Sequence, residues 1–338
     1  KTLYQIANNA VPYIRGDWFL FVASKPPLYR DLLNLPNREQ ELEAILLPQG
    51  TTAALNTSTG RAVRIGFRSQ GASPSRNNRV IERHPAVSGY LWRSYDFAAS
   101  AGRGNIFFNP LGPGSGGNEF QHDGGEMIFS LPNGLQGYYI SNAKGESLDS
   151  APLTIVQDPR NRRNGFEVTN GISCMGCHSE GIKTHDDAIR SAVEVSSAIA
   201  TPVRDRVLQL YPPQAVVNRW FDIDQRRFAA AVEAIHGSGN GSEPILAMAE
   251  DFQNDVSLKR MSAELSLTPE EFRDRLSRAP ELSAQLAIHR GQDAVERVTF
   301  NRLFGRIVTA FGLGKSLYGG GTNVEPTHEQ AAEPTPST

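Results

Sequence analysis

The first half of the chain carries patterns typical of strands separated by irregular segments. Residues 62–69 (AVRIGFRS) alternate apolar and polar side chains, as a half-buried strand does. Residues 126–148 contain three further candidate strands, EMIFSL, LQGYYIS and ESL, separated by the turn sequences Pro-Asn-Gly and Lys-Gly. One helix is predicted over 37–47, with Asn37 as its cap. This half is therefore predicted to be a strand-rich, mixed region.

In the second half, apolar positions recur at helical spacing. Thr201-Pro202 and Thr268-Pro269 each combine a capping residue with a proline suited to a first helical turn, and residues 298–311 carry an apolar stripe. The fold class predicted is α+β. It comprises a mixed region over 1–165, a helical region over 166–314 and a disordered, low-complexity tail over 315–338.

Composition and charge exclude several classes of partner. The net charge is -2 and the pI about 6.4, so no basic surface is indicated for nucleic acid. No apolar run approaches the ~20 residues that a membrane-spanning helix needs, and no transmembrane segment is expected. The chain has 2 cysteines, Cys174 and Cys177, so a network of structural disulfides is excluded.

The two cysteines belong to the sequence Cys174-Met175-Gly176-Cys177-His178, which is the C-x-x-C-H attachment signature of c-type haem. Residues three apart on a helical turn lie side by side, so each sulfur can bond one of the two haem vinyl groups. The adjoining His178 can then bind the iron. We predict one covalent haem c per chain, with His178 as the proximal ligand.

Two other interpretations of the same motif remain. A zinc site would need two further Cys or His ligands, and the nearest histidine is His185. A thioredoxin-like dithiol would need a preceding strand within a βαβ unit, whereas residues 168–172 form a short segment before predicted helices.

Covalent haem also predicts a compartment. Haem attachment needs reduced thiols and dedicated machinery, which in bacteria lie outside the cytoplasmic membrane. We therefore expect a periplasmic or extracellular protein. The chain begins at Lys1, as it would after removal of a signal peptide.

Three stretches resemble a family of bacterial single-haem cytochrome c-type proteins. They are residues 75–84 (SRNNRVIERH), 120–140 (FQHDGGEMIFSLPNGLQGYYI) and 168–182 (VTNGISCMGCHSEGI), and the similarity covers most of residues 10–310. The resemblance implies haem and export but no substrate. It also implies that the first half packs on the haem beside a helical, cytochrome c-like second half.

The sixth iron ligand decides between electron transfer and catalysis. His84 and His122 are the predicted distal candidates, because both lie within the stretches that carry the resemblance. Met248 and Met261 are alternatives, as is an open position. His185 is disfavoured, because it would have to wrap around the edge of the ring seven residues after His178.

Two functions are consistent with these residues. The first is electron transfer with partner redox proteins. The second is a peroxidase-type haem enzyme, whose extra chain length would form a distal side. Arg79 and Arg83 are candidates to pair with the haem propionates or to polarise a bound peroxide. The sequence identifies no catalytic residue, and a sensing module that uses haem structurally is a third possibility.

Overall fold

The chain was examined as a computed structural model. The structure describes residues 14–47, 63–68, 77–161, 165–236, 243–286 and 294–314. It is mixed α/β, with an antiparallel sheet in the first half and helices in the second, which confirms the predicted fold class at this level. The predicted disordered tail at 315–338 lies outside the described residues. No helix within the described residues is long and apolar enough to cross a membrane.

The described residues form two compact units. The larger unit is Gly16–Ala249, and the described part of the smaller unit contains the residues from Glu250 onward together with Ile14 and Arg15. The predicted boundary at residue 165 falls inside the larger unit, because the cysteine motif packs against the sheet.

Within the described residues, the larger unit contains eight strands and seven complete α-helices. An eighth α-helix, α8, begins in this unit and ends after Ala249, its last residue. The strands are β1 Val63–Arg68, β2 Asn78–Ala86, β3 Gly89–Asp96, β4 Gly124–Ser130, β5 Gln136–Asn142, β6 Ser147–Leu148, β7 Ser150–Ala151 and β8 Val168–Thr169. The helices are α1 Gly16–Ala23, α2 Leu28–Leu32, α3 Glu39–Leu46, α4 Ile172–Cys177, α5 Ile189–Val195, α6 Thr201–Leu210, α7 Gln214–His236 and α8 Pro244–Gln253.

The main sheet has the order β1-β2-β3-β4-β5-β6, and every neighbouring pair is antiparallel. Both faces of the sheet are covered, so apolar side chains are buried on each of them. Leu42 and Leu46 of α3 pack on one face against Met127 and Tyr139. The other face carries a core cluster to which α4 and α7 contribute Cys174, Met175 and Phe221.

The smaller unit is helical apart from one short strand pair. Its elements are β9 Val256–Ser257, α9 Leu258–Glu264, α10 Pro269–Ser277, α11 Pro280–Leu286, β10 Ala294–Val295 and α12 Arg297–Ala310. The predicted capping box is confirmed, since Thr268 and Glu271 exchange hydrogen bonds of 3.2 and 2.8 Å at the start of α10.

A buried polar network lies on the α3 side of the sheet. Glu82 of β2 pairs with Arg64 and lies 3.0 Å from Nε2 of His84. Burial disfavours the charged form of Glu82, but the attraction of Arg64 and the hydrogen bond to His84 outweigh it. The pKa of Glu82 is thereby lowered to about 2.

We expect this network to make the protein acid-sensitive. A carboxyl group with a lowered native pKa contributes stability above its unfolded pKa of about 4.5, and that contribution is lost as the pH falls towards 2. Urea unfolding at pH 5, 4 and 3 should therefore show a steeper loss of unfolding free energy for the wild type than for Glu82→Gln. Equal slopes for the two proteins would contradict this expectation.

Candidate functional site

The C-x-x-C-H sequence forms one short helix whose start requires a glycine. Gly171 precedes α4 with φ +89°, and a Cβ there would collide with the carbonyl oxygen of Ser24. Cys174 and Cys177 follow within the helix, and the backbone N–H of His178 donates to the carbonyl of Cys174 at 2.8 Å. The local prediction of one helical turn is confirmed.

Arg160 supports the helix from outside. Its guanidinium donates to both carboxylate oxygens of Asp158 at 2.9 Å and to the carbonyl of Ser173 at 3.0 Å. It also lies against Gly176, where any side chain would overlap it. The glycine between the two cysteines is thus the residue that lets this guanidinium approach the helix.

The hydrogen bonding of His178 leaves one ring nitrogen available. Nδ1 lies 3.2 Å from the carbonyl oxygen of Gly181. A carbonyl can only accept, so this contact assigns a proton to Nδ1, and in the neutral ring the lone pair then lies on Nε2. A backbone hydrogen bond of this kind orients a histidine that binds a metal through Nε2.

Cys174, Cys177 and His178 all line a single open cavity of about 1130 Å³, a volume that includes the space at its mouth. The sheet supplies much of the opposite wall through β1 to β5. Most of the wall is apolar and includes Phe67, Ile81, Trp92, Ile128, Ile140 and Ile155. Cofactor sites are commonly lined by apolar side chains with a few polar groups among them, and the wall of this cavity has that composition.

Besides Arg93, which pairs with Glu39 and Glu43, two cationic residues line the same cavity. Arg79 is paired with Asp96 through Nε, and the hydroxyl of Ser94 donates to Asp96 at 2.9 Å. Lys183 is exposed at the cavity wall. These cations can bind anionic groups such as propionates, as predicted for Arg79.

The environment of the thiols disfavours a dithiol redox pair. Burial, followed by the negative charge of Glu126, raises the pKa of Cys174 well above its usual value and raises the pKa of Cys177 as well. Reactive dithiols depend on a lowered thiol pKa. The structure has both cysteines as free thiols.

Neither predicted distal histidine lines the cavity. Side chains alternate between the two faces of a strand, so Arg79 and Ile81 of β2 face the cavity whereas His84 faces the opposite side and contacts Glu82. His122 packs with its ring edge on Tyr95, at 5.0 Å between centroids. These positions do not support either histidine as the sixth ligand.

Arg83 and the methionines also lie outside the cavity wall. Arg83 forms a buried, bidentate pair with Asp224 of α7, with distances of 2.7 and 2.9 Å. All four methionines are among the described residues, and none of them lines the cavity. Met248 is 44% exposed and Met261 is in the core of the smaller unit.

Sequence reasoning missed two cavity residues with ligand chemistry. Glu126 of β4 has an oxygen, Oε2, 3.7 Å from Nε2 of His178. His185, which the sequence disfavours as a distal ligand, lines the cavity with its ring stacked on Phe67 at 4.1 Å between centroids. Burial, followed by the charge of Arg79, lowers the pKa of His185 to about 4. The sequence did hold one signal for Glu126. It lies two residues before Ile128 in the predicted strand EMIFSL, so both side chains are expected on the same face of the sheet.

The residues present fit a covalently bound haem. Two free thiols, a histidine with an available Nε2, an apolar cavity and two cations lie together on one cavity wall or its rim. Among the described residues, no group of three or more His, Cys, Asp and Glu side chains is placed to hold a metal ion. A haem iron needs fewer protein ligands than that, since the porphyrin supplies four nitrogens.

Comparisons with protein-family models, with curated proteins and with solved structures gave no match for this chain. The resemblance to single-haem cytochromes stays a prediction. The assignment of a function rests on the residues of the cavity.

Proposed function

We propose that this chain is an exported c-type cytochrome that exchanges single electrons with partner redox proteins outside the cytoplasmic membrane. Cys174 and Cys177 would hold one haem through thioether bonds, and His178 would bind its iron. The observation that carries the proposal is that both cysteines and His178 line one cavity whose wall is mostly apolar.

Each part of the cavity has a role in this function. Each cysteine S–H would add across one vinyl group, the sulfur bonding one carbon and the hydrogen the other. The hydrogen bond from His178 Nδ1 to the carbonyl of Gly181 holds the ring in one orientation. The apolar walls exclude water, which tunes the reduction potential. When bound, haem supplies an iron that accepts and releases one electron.

A peroxidase-type enzyme is the second candidate, and a specific observation favours it. The described cavity wall contains no methionine, but it contains a carboxylate, Glu126, and a guanidinium, Arg79. An acid–base group and a cation are what the cleavage of a bound peroxide requires. Oxidation of an electron-donor dye by peroxide, measured with the holoprotein, distinguishes this candidate from a simple carrier.

We expect the wild-type chain, exported in a host with haem-attachment machinery, to carry one haem that survives acid–acetone extraction. The two thioether bonds are the reason, because a non-covalent haem is extracted by this treatment. Intact mass should show the mass of one haem added to the chain, and the pyridine haemochrome spectrum should show saturated vinyl groups. A colourless protein, or one that releases its haem, would contradict the proposed function.

A further inference from the structure

A carboxylate in the cavity wall, that of Glu126, lies close to His178. Glu126 is in the middle of β4, and its backbone N–H donates to the hydroxyl of Ser94 at 2.9 Å. Its side chain keeps 23% exposure and lines the cavity. The thiol of Cys174 is also within hydrogen-bonding reach of it. The carboxylate is therefore held beside the two groups that would bind haem.

The separation of Glu126 and His178 is that of two ligands around one metal. Glu126 Oε2 lies 3.7 Å from His178 Nε2, which is longer than a hydrogen bond. Bonds from a transition metal to imidazole nitrogen and to carboxylate oxygen are each about 2 Å long, so two ligand atoms on opposite sides lie about 4 Å apart. A small rotation of the Glu126 side chain supplies the remaining few tenths of an ångström.

Polar and positive groups already surround the carboxylate of Glu126. His178, the thiol of Cys174 and Arg79 all favour its ionised form. A ferric haem iron carries net positive charge, so an iron between His178 and Glu126 would add to this stabilisation.

From these contacts we propose that Glu126 is the distal ligand of the haem iron, with its carboxylate in the sixth position opposite His178. This proposal rests on the proposed function, since it requires the haem. A carboxylate oxygen is a weak-field ligand, so the ferric protein is high-spin, whereas a second histidine would make it low-spin. The anionic ligand also favours ferric over ferrous iron and blocks other anions from the ferric iron.

His185 is the competing ligand in the cavity. Its ring is stacked on Phe67, and a neutral imidazole can bind iron. The two ligands give opposite spin states, so the spectrum of the ferric wild type distinguishes them.

The test uses the full-length holoprotein and the variants Glu126→Gln, Glu126→Asp and Glu180→Gln. The last variant is the matched control, because Glu180 is exposed and outside the cavity wall. Absorption and electron paramagnetic resonance spectra of the ferric proteins report the spin state, and titration with azide reports access to the iron. Haem content per chain is measured first for each protein.

We expect a high-spin wild type and a changed high-spin spectrum for Glu126→Gln, with azide binding at least tenfold tighter than in the wild type. Glu180→Gln should match the wild type. Glu126→Asp keeps the charge but is one methylene shorter, so it should also tighten azide binding. This variant takes the place of Glu126→Gln if the latter does not acquire haem.

Two results overturn the assignment of Glu126 and leave the haem in place. The first is full haem content with spectra and azide affinity in Glu126→Gln within twofold of the wild type. The second is a low-spin wild type that becomes high-spin in His185→Phe, which would assign the distal position to His185. A wild type without covalent haem overturns the proposed function and this inference together.

Discussion

Replacing both Cys174 and Cys177 with alanine is expected to give a colourless protein that unfolds at least about 10 °C below the wild type. The cavity would then lose its bound group, although its apolar walls are part of the main core of the larger unit. A ligand present at a thousand times its Kd stabilises the native state by about 4 kcal/mol. One kcal/mol shifts Tm by about 2–4 °C at this size. A covalently bound haem should stabilise the native state by more than such a ligand does.

The matched control for this double variant is Met175→Leu, in the same motif. Met175 is 4% exposed and does not line the cavity, and exchanging methionine for leucine conserves volume. It should keep full haem content and a Tm close to the wild type. Haem content from the pyridine haemochrome and Tm from circular dichroism provide both readouts. A double variant as heat-stable as the wild type would show that haem does not support the fold.

The C-x-x-C-H helix could be predicted because its information is local. The cysteine spacing, the adjoining histidine and Gly171 all lie within eight residues, and the helical turn needs only short contacts. The same holds for the capping box at Thr268. At the start of α3, by contrast, Asn37 was predicted as the cap, but Arg38 occupies that position. Helix ends depend on a few competing contacts, so prediction there is accurate only to a residue or two.

Strands β2 and β3 were not predicted, although they lie at the centre of the sheet. The segment around Arg79 and Arg83 carries several charges, and its apolar and polar residues do not alternate as they do in a half-buried strand. The structure buries these charges because distant residues neutralise them. Arg83 meets Asp224, 141 residues further along the chain, and Glu82 meets Arg64 on the neighbouring strand. No local pattern reveals partners at that distance.

The distal side of the candidate site depends on the sheet in the same way. Without β2 as a strand, the sequence did not fix the face on which His84 lies, and His84 became a candidate because it lies in a stretch that carries the resemblance. In the sheet, the alternation of side chains places His84 opposite to Arg79 and Ile81. The cavity instead receives Glu126 from β4 and His185 from the segment after α4. To predict the proximal residues, it was enough to recognise one helical turn. To predict the distal residues, the pairing register of the sheet strands would have had to be known.

Replacing Asp224 with alanine is expected to lower the unfolding free energy by about 3–5 kcal/mol, because it leaves a buried guanidinium without its counter-charge. The side chains of Arg83 and Asp224 are 4% and 2% exposed, and Trp92 Nε1 donates to the same carboxylate at 2.7 Å. These contacts connect α7 to β2 and β3, beside the cavity. Urea unfolding monitored by circular dichroism measures the loss.

Two further variants show whether the lost charge is the cause. Asp222→Ala removes an exposed carboxylate of the same helix and should change the unfolding free energy by less than about 0.5 kcal/mol. The double variant Arg83→Met with Asp224→Leu removes both charges and keeps the volume, so it should recover much of the loss, as replacement of buried ion pairs by apolar side chains does. If Asp224→Ala alone cost less than about 1 kcal/mol, or if the double variant were no more stable than it, the buried pair would not be what connects the helix to the sheet.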